Sequence, residues 1–165
     1  MTAILTLFSH SPEVTEFIGQ ELAKYLRSGD ILTLDGDLGA GKTALTRGIA
    51  RGLGLTSHVS SPTFTIVMEH PAEKDGQLSL FHFDVYRLVN GDDFLDSGLD
   101  EYFDQKGVSV LEWGKLVADV LPEDILRISM QGTDEVRTIE IIFPDIRRTE
   151  LDLLEKDFAG DLRIT

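Results

Sequence analysis

Residues 36–43 read Gly36-Asp37-Leu38-Gly39-Ala40-Gly41-Lys42-Thr43 and match G-x-x-x-x-G-K-[ST], the Walker A pattern. The spacing has a mechanical basis. Glycines let the backbone curl tightly enough for successive N–H groups to point at phosphate oxygens. A helix beginning at the lysine adds its own unpaired N–H groups and the positive end of its dipole. Lys42 then reaches the β- and γ-phosphates, and the Thr43 hydroxyl can ligate a magnesium ion that bridges the same two groups. Such a loop demands an apolar strand before it and a helix after it. Ile31, Leu32, Thr33 and Leu34 form a short β-rich run between Asp30 and Asp35, suited to a strand buried on both faces. Leu45, Ile49 and Leu53 keep helical spacing until Gly52 and Gly54 supply the stop. The order strand, glycine loop, helix is therefore in place.

Ser11 before Pro12 predicts an earlier helix start, and Val14, Phe17, Ile18, Leu22 and Leu26 carry that helix to near Gly29. Two strands are expected over residues 63–69 and 78–88, closed into an antiparallel hairpin by the polar residues 71–77. Residues 92–104 hold six acids and no base, with Phe94, Leu95, Leu99, Tyr102 and Phe103 as apolar anchors, which predicts a short helical segment with an acidic, solvated face. An apolar run over 108–111 ends at Glu112. A short helix to Pro122, strands near 124–130 and 138–143, and a helix from about 147 to 158 complete the reading.

At 165 residues the chain fits one domain spanning 1–165, a size that buries about 70% of its unfolded surface. It has no cysteine, so disulfides, thiolate metal sites and cysteine nucleophiles are excluded, and a reducing cytoplasm fits. Fifteen basic against 29 acidic residues give a net charge of -14, which sets the average surface against nucleic acid phosphates and anionic lipids. No basic leader precedes the N-terminal apolar residues and no apolar run is long enough to span a bilayer, so a soluble, non-exported chain is expected.

A phosphate loop of this kind also needs a carboxylate at the carboxyl end of a neighbouring strand, to hold magnesium directly or through its waters. Glu112 and Asp84 both qualify, and either could be a plain solvated acid at a strand end. Thr63, in the loop after the phosphate-loop helix, could sense the γ-phosphate as a switch residue does, or could serve only the turn that Ser61-Pro62 favours. Trp113 reads as a core or hinge-packing residue before a base-stacking one. His10, His58, His70 and His82 show no ligand spacing and are read as surface or strand residues. Arg47 and Arg87 could neutralise transition-state charge, yet Arg47 also fits an exposed helix face and Arg87 a strand-end ion pair.

Taken together, several blocks of the sequence resemble the TsaE family, small bacterial ATPases of the tRNA threonylcarbamoyladenosine modification machinery. They are G-D-L-G-A-G-K-T-A-L-T-R-G-I-A-R-G-L-G from Gly36, S-P-T-F-T-I-V from Ser61, H-F-D-V-Y-R-L from His82, G-L-D-E-Y-F from Gly98 and L-E-W from Leu111. With the helix and strand that precede them, they extend over residues 11–113, with weaker likeness through Pro122, and after Val136 only length and a strand-then-helix pattern are shared. The resemblance implies an α/β, P-loop NTPase-like three-layer fold, with a mixed, largely parallel sheet flanked by helices. It implies ATP and Mg2+ as ligands, with Asp37, Leu38, Gly39, Ala40, Gly41, Lys42, Thr43, Ala44 and Trp113 around the nucleotide. Thr43 and Glu112 would hold the metal, Thr63 would belong to a switch-like loop, and Asp84 would assist hydrolysis beside Lys42. The implied partners are TsaD-like and TsaB-like proteins, which transfer the threonylcarbamoyl group to an adenosine beside the anticodon and which ATP hydrolysis would reset. Transfer would not occur on this chain, and tRNA would be met only through the complex.

Three rivals remain at this stage. A small P-loop kinase needs an acceptor pocket and an arginine-bearing lid, neither of which is visible. For a GTPase, Thr63 could be the switch threonine, yet no N-K-x-D segment is present. A nucleotide-gated binding module that scarcely cleaves ATP shares every motif.

Overall fold

The computed structural model describes residues 3–37, 39–62, 65–132 and 135–164. Thr63 and Leu38, both candidate site residues, lie outside the described residues. Among those described, the strands are β1 (Ala3–Ser9), β2 (Ile31–Gly36), β3 (Val67–His70), β4 (Ser79–Asp84), β5 (Gly107–Glu112), β6 (Leu126–Gly132) and β7 (Arg137–Phe143). They form one sheet in the order β1-β7-β6-β2-β5-β4-β3. The inner four, β6, β2, β5 and β4, run parallel, and β3, β7 and β1 are added antiparallel at the two sides. The α-helices are α1 (Pro12–Ala23), α2 (Lys42–Gly52), α3 (Gly91–Asp96) and α4 (Arg148–Phe158). Tighter 3-10 turns cover Leu99–Asp104, Gly114–Val120 and Asp145–Arg147.

Successive residues of β2 face opposite ways, and each face has its own core. Leu32 and Leu34 pack with Ile18 and Leu22 of α1, Leu45 and Ile49 of α2 and Leu154 of α4. Ile31 packs on the other side with Phe81, Phe83, Phe94, Leu99 and Val117. The result is the expected three layers. On the first face α1 and α2 approach closely enough that a Cβ built on Gly48 would lie 2.0 Å from the Glu16 carbonyl oxygen. Only a residue without a side chain permits that contact, which sets how far the start of α2 stands above the sheet.

Register then decides what meets at the carboxyl ends of the parallel strands. Leu34 of β2 stands opposite Glu112 of β5, and Glu112 stands opposite Asp84 of β4. In open parallel sheets ligands bind just beyond these ends, where β2 also delivers the glycine loop. Asp84 is held there by its neighbour Phe83, wholly buried, whose ring lies 6.1, 5.5 and 6.2 Å from those of Phe94, Tyr102 and Phe103.

The elements differ from the sequence reading in several places, and among the described residues the strand expected over 63–69 runs only over Val67–His70. β1 was not anticipated, because Ile4 and Phe8 on its outward face are as apolar as Leu5 and Leu7 inside, so no alternation marks it. The first helix stops at Ala23, six residues before Gly29; Lys24, Tyr25 and Leu26 then bond three residues back, a tighter turn that still buries Leu26. The strand expected over 78–88 ends at Asp84, where Leu88 closes a turn onto Val85. The acidic segment 92–104 breaks at Gly98, whose φ of +71° ends one turn and starts the next.

Candidate functional site

The glycine loop closes onto α2 through two backbone positions that ordinary side chains resist. Gly39 has φ +79° and Gly41 φ +98°. Gly41 is the cap of α2 and, among the described residues, no side chain caps this helix start in the way Ser11 takes Val14 N–H at the start of α1. Lys42 is buried. Its ammonium donates to the Gly36 carbonyl at 2.6 Å and lies 4.6 Å from the centre of the Trp113 ring. Ala40 is packed into the core beneath the loop, while Asp37 is exposed and faces a neighbouring bay beside Trp113 and Lys115.

A pocket of about 420 Å3 lies over the helix start, inside the range of small-molecule sites at roughly 300–1,000 Å3. It brings together Gly39, Gly41, Lys42, Thr43 and Ala44 from the loop and α2, with Asp84, Glu112 and Trp113 from the strand ends. Asp84 accepts from Tyr86 N–H at 3.0 Å, which fixes its carboxylate across the turn. Ser61, two residues before Thr63, also lines the pocket.

Trp113 is the one non-glycine described residue at positive φ, +63°. A bulky residue is held there only when its surroundings over-determine it. Here the ring is fixed by the Lys42 ammonium and by Tyr86, whose ring lies 5.0 Å away. Trp113 N–H donates to the Leu34 carbonyl at 3.3 Å, tying the end of β5 to β2. Asp35, half-buried near Lys42, has its carboxyl pushed above the usual range by burial, a shift that the Lys115 N–H and the Lys115 and Lys42 charges oppose.

Three contributions were not read from the sequence. His82, taken there as an ordinary surface or strand residue, is wholly buried on β4, and its Nε2 is 2.8 Å from Glu112 Oε2. A signal existed: His82 and Asp84 are two apart on one strand and so share a face. Second, Ser9, Ser11, Pro12 and Thr15, at the β1–α1 junction, wall the pocket opposite the strand ends. The Ser9 and Thr15 hydroxyls are 2.8 Å apart and both residues are buried, which makes this wall stiff. Third, Arg137 at the start of β7 lines the pocket and donates to the Gly39 carbonyl at 2.8 Å. Its place in the site comes from sheet pairing far along the chain, and no local pattern marks it.

The donor set suits a hard cation, with a threonine hydroxyl and two carboxylates on one pocket. Among the described residues no three His, Cys, Asp or Glu side chains form a cage by themselves. Magnesium needs none, since one or two carboxylates plus substrate phosphates commonly hold it. Among the described residues no helix is long and apolar enough to cross a membrane.

The family model of the threonylcarbamoyl adenosine biosynthesis protein TsaE matches residues 9–139, a span that takes in the β1–α1 wall, the loop, both carboxylates and Arg137. The chain is 49% identical over 127 residues to the tRNA threonylcarbamoyladenosine biosynthesis protein TsaE of Bacillus subtilis, covering 76% of this chain and 77% of that one. It is 45% identical over 130 residues to the protein of the same name from Streptomyces coelicolor, covering 75% and 86%. The crystal structure of Bacillus subtilis YdiB superposes with a TM-score of 0.78 at 38% identity, covering 95% of this chain and 97% of that one.

Proposed function

The chain belongs to the TsaE family of threonylcarbamoyl adenosine biosynthesis proteins, and on that premise we propose that it is the ATP-binding and ATP-hydrolysing subunit of this tRNA modification. It acts in the cytoplasm on a complex of TsaD-like and TsaB-like partners. The observation that carries the reading is one pocket in which the uncapped start of α2 and Lys42 face Asp84 and Glu112.

In this reading the N–H groups of residues 37–44 cradle the phosphates and Lys42 leaves the Gly36 carbonyl to meet them. Thr43 and Glu112 hold Mg2+. A magnesium ion held there would supply positive charge that offsets the negative charge of the phosphates. Asp84 assists hydrolysis, Thr63 belongs to a switch-like loop that senses the γ-phosphate, and Trp113 packs beside the nucleotide. The wall of Ser9, Ser11 and Thr15 with Arg137 takes the nucleoside end. Because the chain carries a net charge of -14, tRNA is met through the partners' surfaces. The sequence offers no arginine-rich lid, so hydrolysis by the isolated chain is weak and the partners stimulate it.

Phosphate release measured with and without the TsaD-like and TsaB-like proteins tests this. Stimulation is expected, with Glu112→Ala abolishing magnesium-dependent turnover and Asp84→Ala still binding nucleotide. Equal rates with and without partners contradict it, and normal hydrolysis by both variants in the complex overturns the two carboxylate roles. Binding without cleavage, even with partners present, would point to a nucleotide-gated docking module.

A further inference from the structure

We infer that His82 is a positioning residue that sets the metal-binding orientation of Glu112, an inference that rests on the metal role proposed for that glutamate. His82 stands opposite Val110 on β5, two residues before the pair of Asp84 and Glu112. Its side chain therefore shares a face with Leu80, Val108 and Val110, all wholly buried in the core under α1 and α2. A histidine in such a place is unfavourable unless its polar atoms are satisfied. Only one of them is. Nε2 is 2.8 Å from Glu112 Oε2, and Nδ1 is buried with no hydrogen-bond partner among the described residues.

A carboxylate oxygen accepts, so Nε2 carries the hydrogen of this bond. An aliphatic residue like its neighbours would remove the unsatisfied nitrogen but would leave the buried Glu112 Oε2 without this donor. What the histidine adds is control of Glu112. It commits one carboxylate oxygen to the sheet, fixes the side-chain torsions of a buried acid, and leaves the second oxygen for the pocket that Glu112 lines. Outer hydrogen bonds of this kind set the affinity of a ligating carboxylate as well as its direction.

The test compares His82→Phe, His82→Gln and His82→Asn in the full chain, by calorimetric titration of ATP in excess chelator and then in rising magnesium. The glutamine amide nitrogen can stand where Nε2 stands, whereas that of asparagine is too short to reach Glu112. His82→Phe and His82→Asn should raise the magnesium needed for half-maximal tightening of ATP about 10- to 100-fold, with chelator-condition affinity changed by less than about twofold, and His82→Gln should restore most of the loss. Should the phenylalanine variant fail to fold, the glutamine and asparagine pair carries the comparison. Unchanged magnesium dependence in His82→Asn, or an equal loss of affinity in chelator, overturns the inference. If the unsubstituted protein binds ATP equally with and without magnesium, the metal role of Glu112 itself fails and takes this inference with it.

Discussion

Replacing Lys42 by methionine separates the electrostatic role of the phosphate loop from its structural one. Without nucleotide, the ammonium makes two contacts, one to the Gly36 carbonyl at 2.6 Å and one to the Trp113 ring at 4.6 Å. A hydrogen bond from a charged group contributes about 1.5–3 kcal/mol and a cation–π contact about 0.5–2 kcal/mol. Against these stands the desolvation of the ammonium of Lys42, a residue only 7% exposed, several kcal/mol in the opposite direction. The terms nearly cancel, and methionine keeps the length of the stem. Lys42→Met should therefore change nucleotide-free stability by no more than about 1 kcal/mol, measured by urea unfolding. Binding behaves differently. A triphosphate replaces both contacts with charge-assisted ones, and losing about 1.5–3 kcal/mol there raises the ATP dissociation constant about 10- to 150-fold, read by calorimetry. Unaltered affinity would refute the reasoning, as would a loss of several kcal/mol of stability in the absence of nucleotide.

Gly48→Ala should lower stability by about 1–3 kcal/mol in urea unfolding, because the new methyl meets the Glu16 backbone at 2.0 Å and α1 must move off α2; an unchanged midpoint would contradict that packing. Burial first, then the charges of His82 and His58, hold His70 below the ordinary histidine range. The unfolded chain therefore binds a proton that the folded chain refuses, so stability falls as pH drops below about 6.5. His70→Gln should flatten that fall between pH 7.5 and 5.5, and parallel curves would count against it. Asp35 has the opposite linkage: its raised carboxyl pKa means that the ionised form is disfavoured in the folded state. Asp35→Asn should stabilise the protein at pH 7, with the gain shrinking as pH approaches about 4 and both states protonate. A gain independent of pH would remove the burial argument.

What could be read from the residues alone follows how local each signal is. The loop from Gly36 to Thr43 and its flanking strand and helix are contiguous, so glycine spacing and apolar periodicity suffice to find them. Glu112 and Asp84 could be named because each ends an apolar run, and the parallel register then set them opposite one another. The two-residue spacing from Asp84 places His82 on the same strand face, but its contact with Glu112 depends on the pairing of β4 with β5, which no local pattern states. Arg137 and the Ser9–Thr15 wall reach the pocket through β7 and β1, the antiparallel additions at one side of the sheet. β1 itself is silent in sequence because both its faces are apolar.

The most direct test of the phosphate-loop site is thermal unfolding of the full chain with and without ATP and magnesium. At about 100 times the dissociation constant, a ligand that binds only the folded state adds about 2.7 kcal/mol, which for a chain of this size raises the Tm by about 5–10 °C. That rise is expected, together with its loss in Lys42→Met at the same ATP concentration. A Tm unmoved by saturating ATP and magnesium would contradict the site outright.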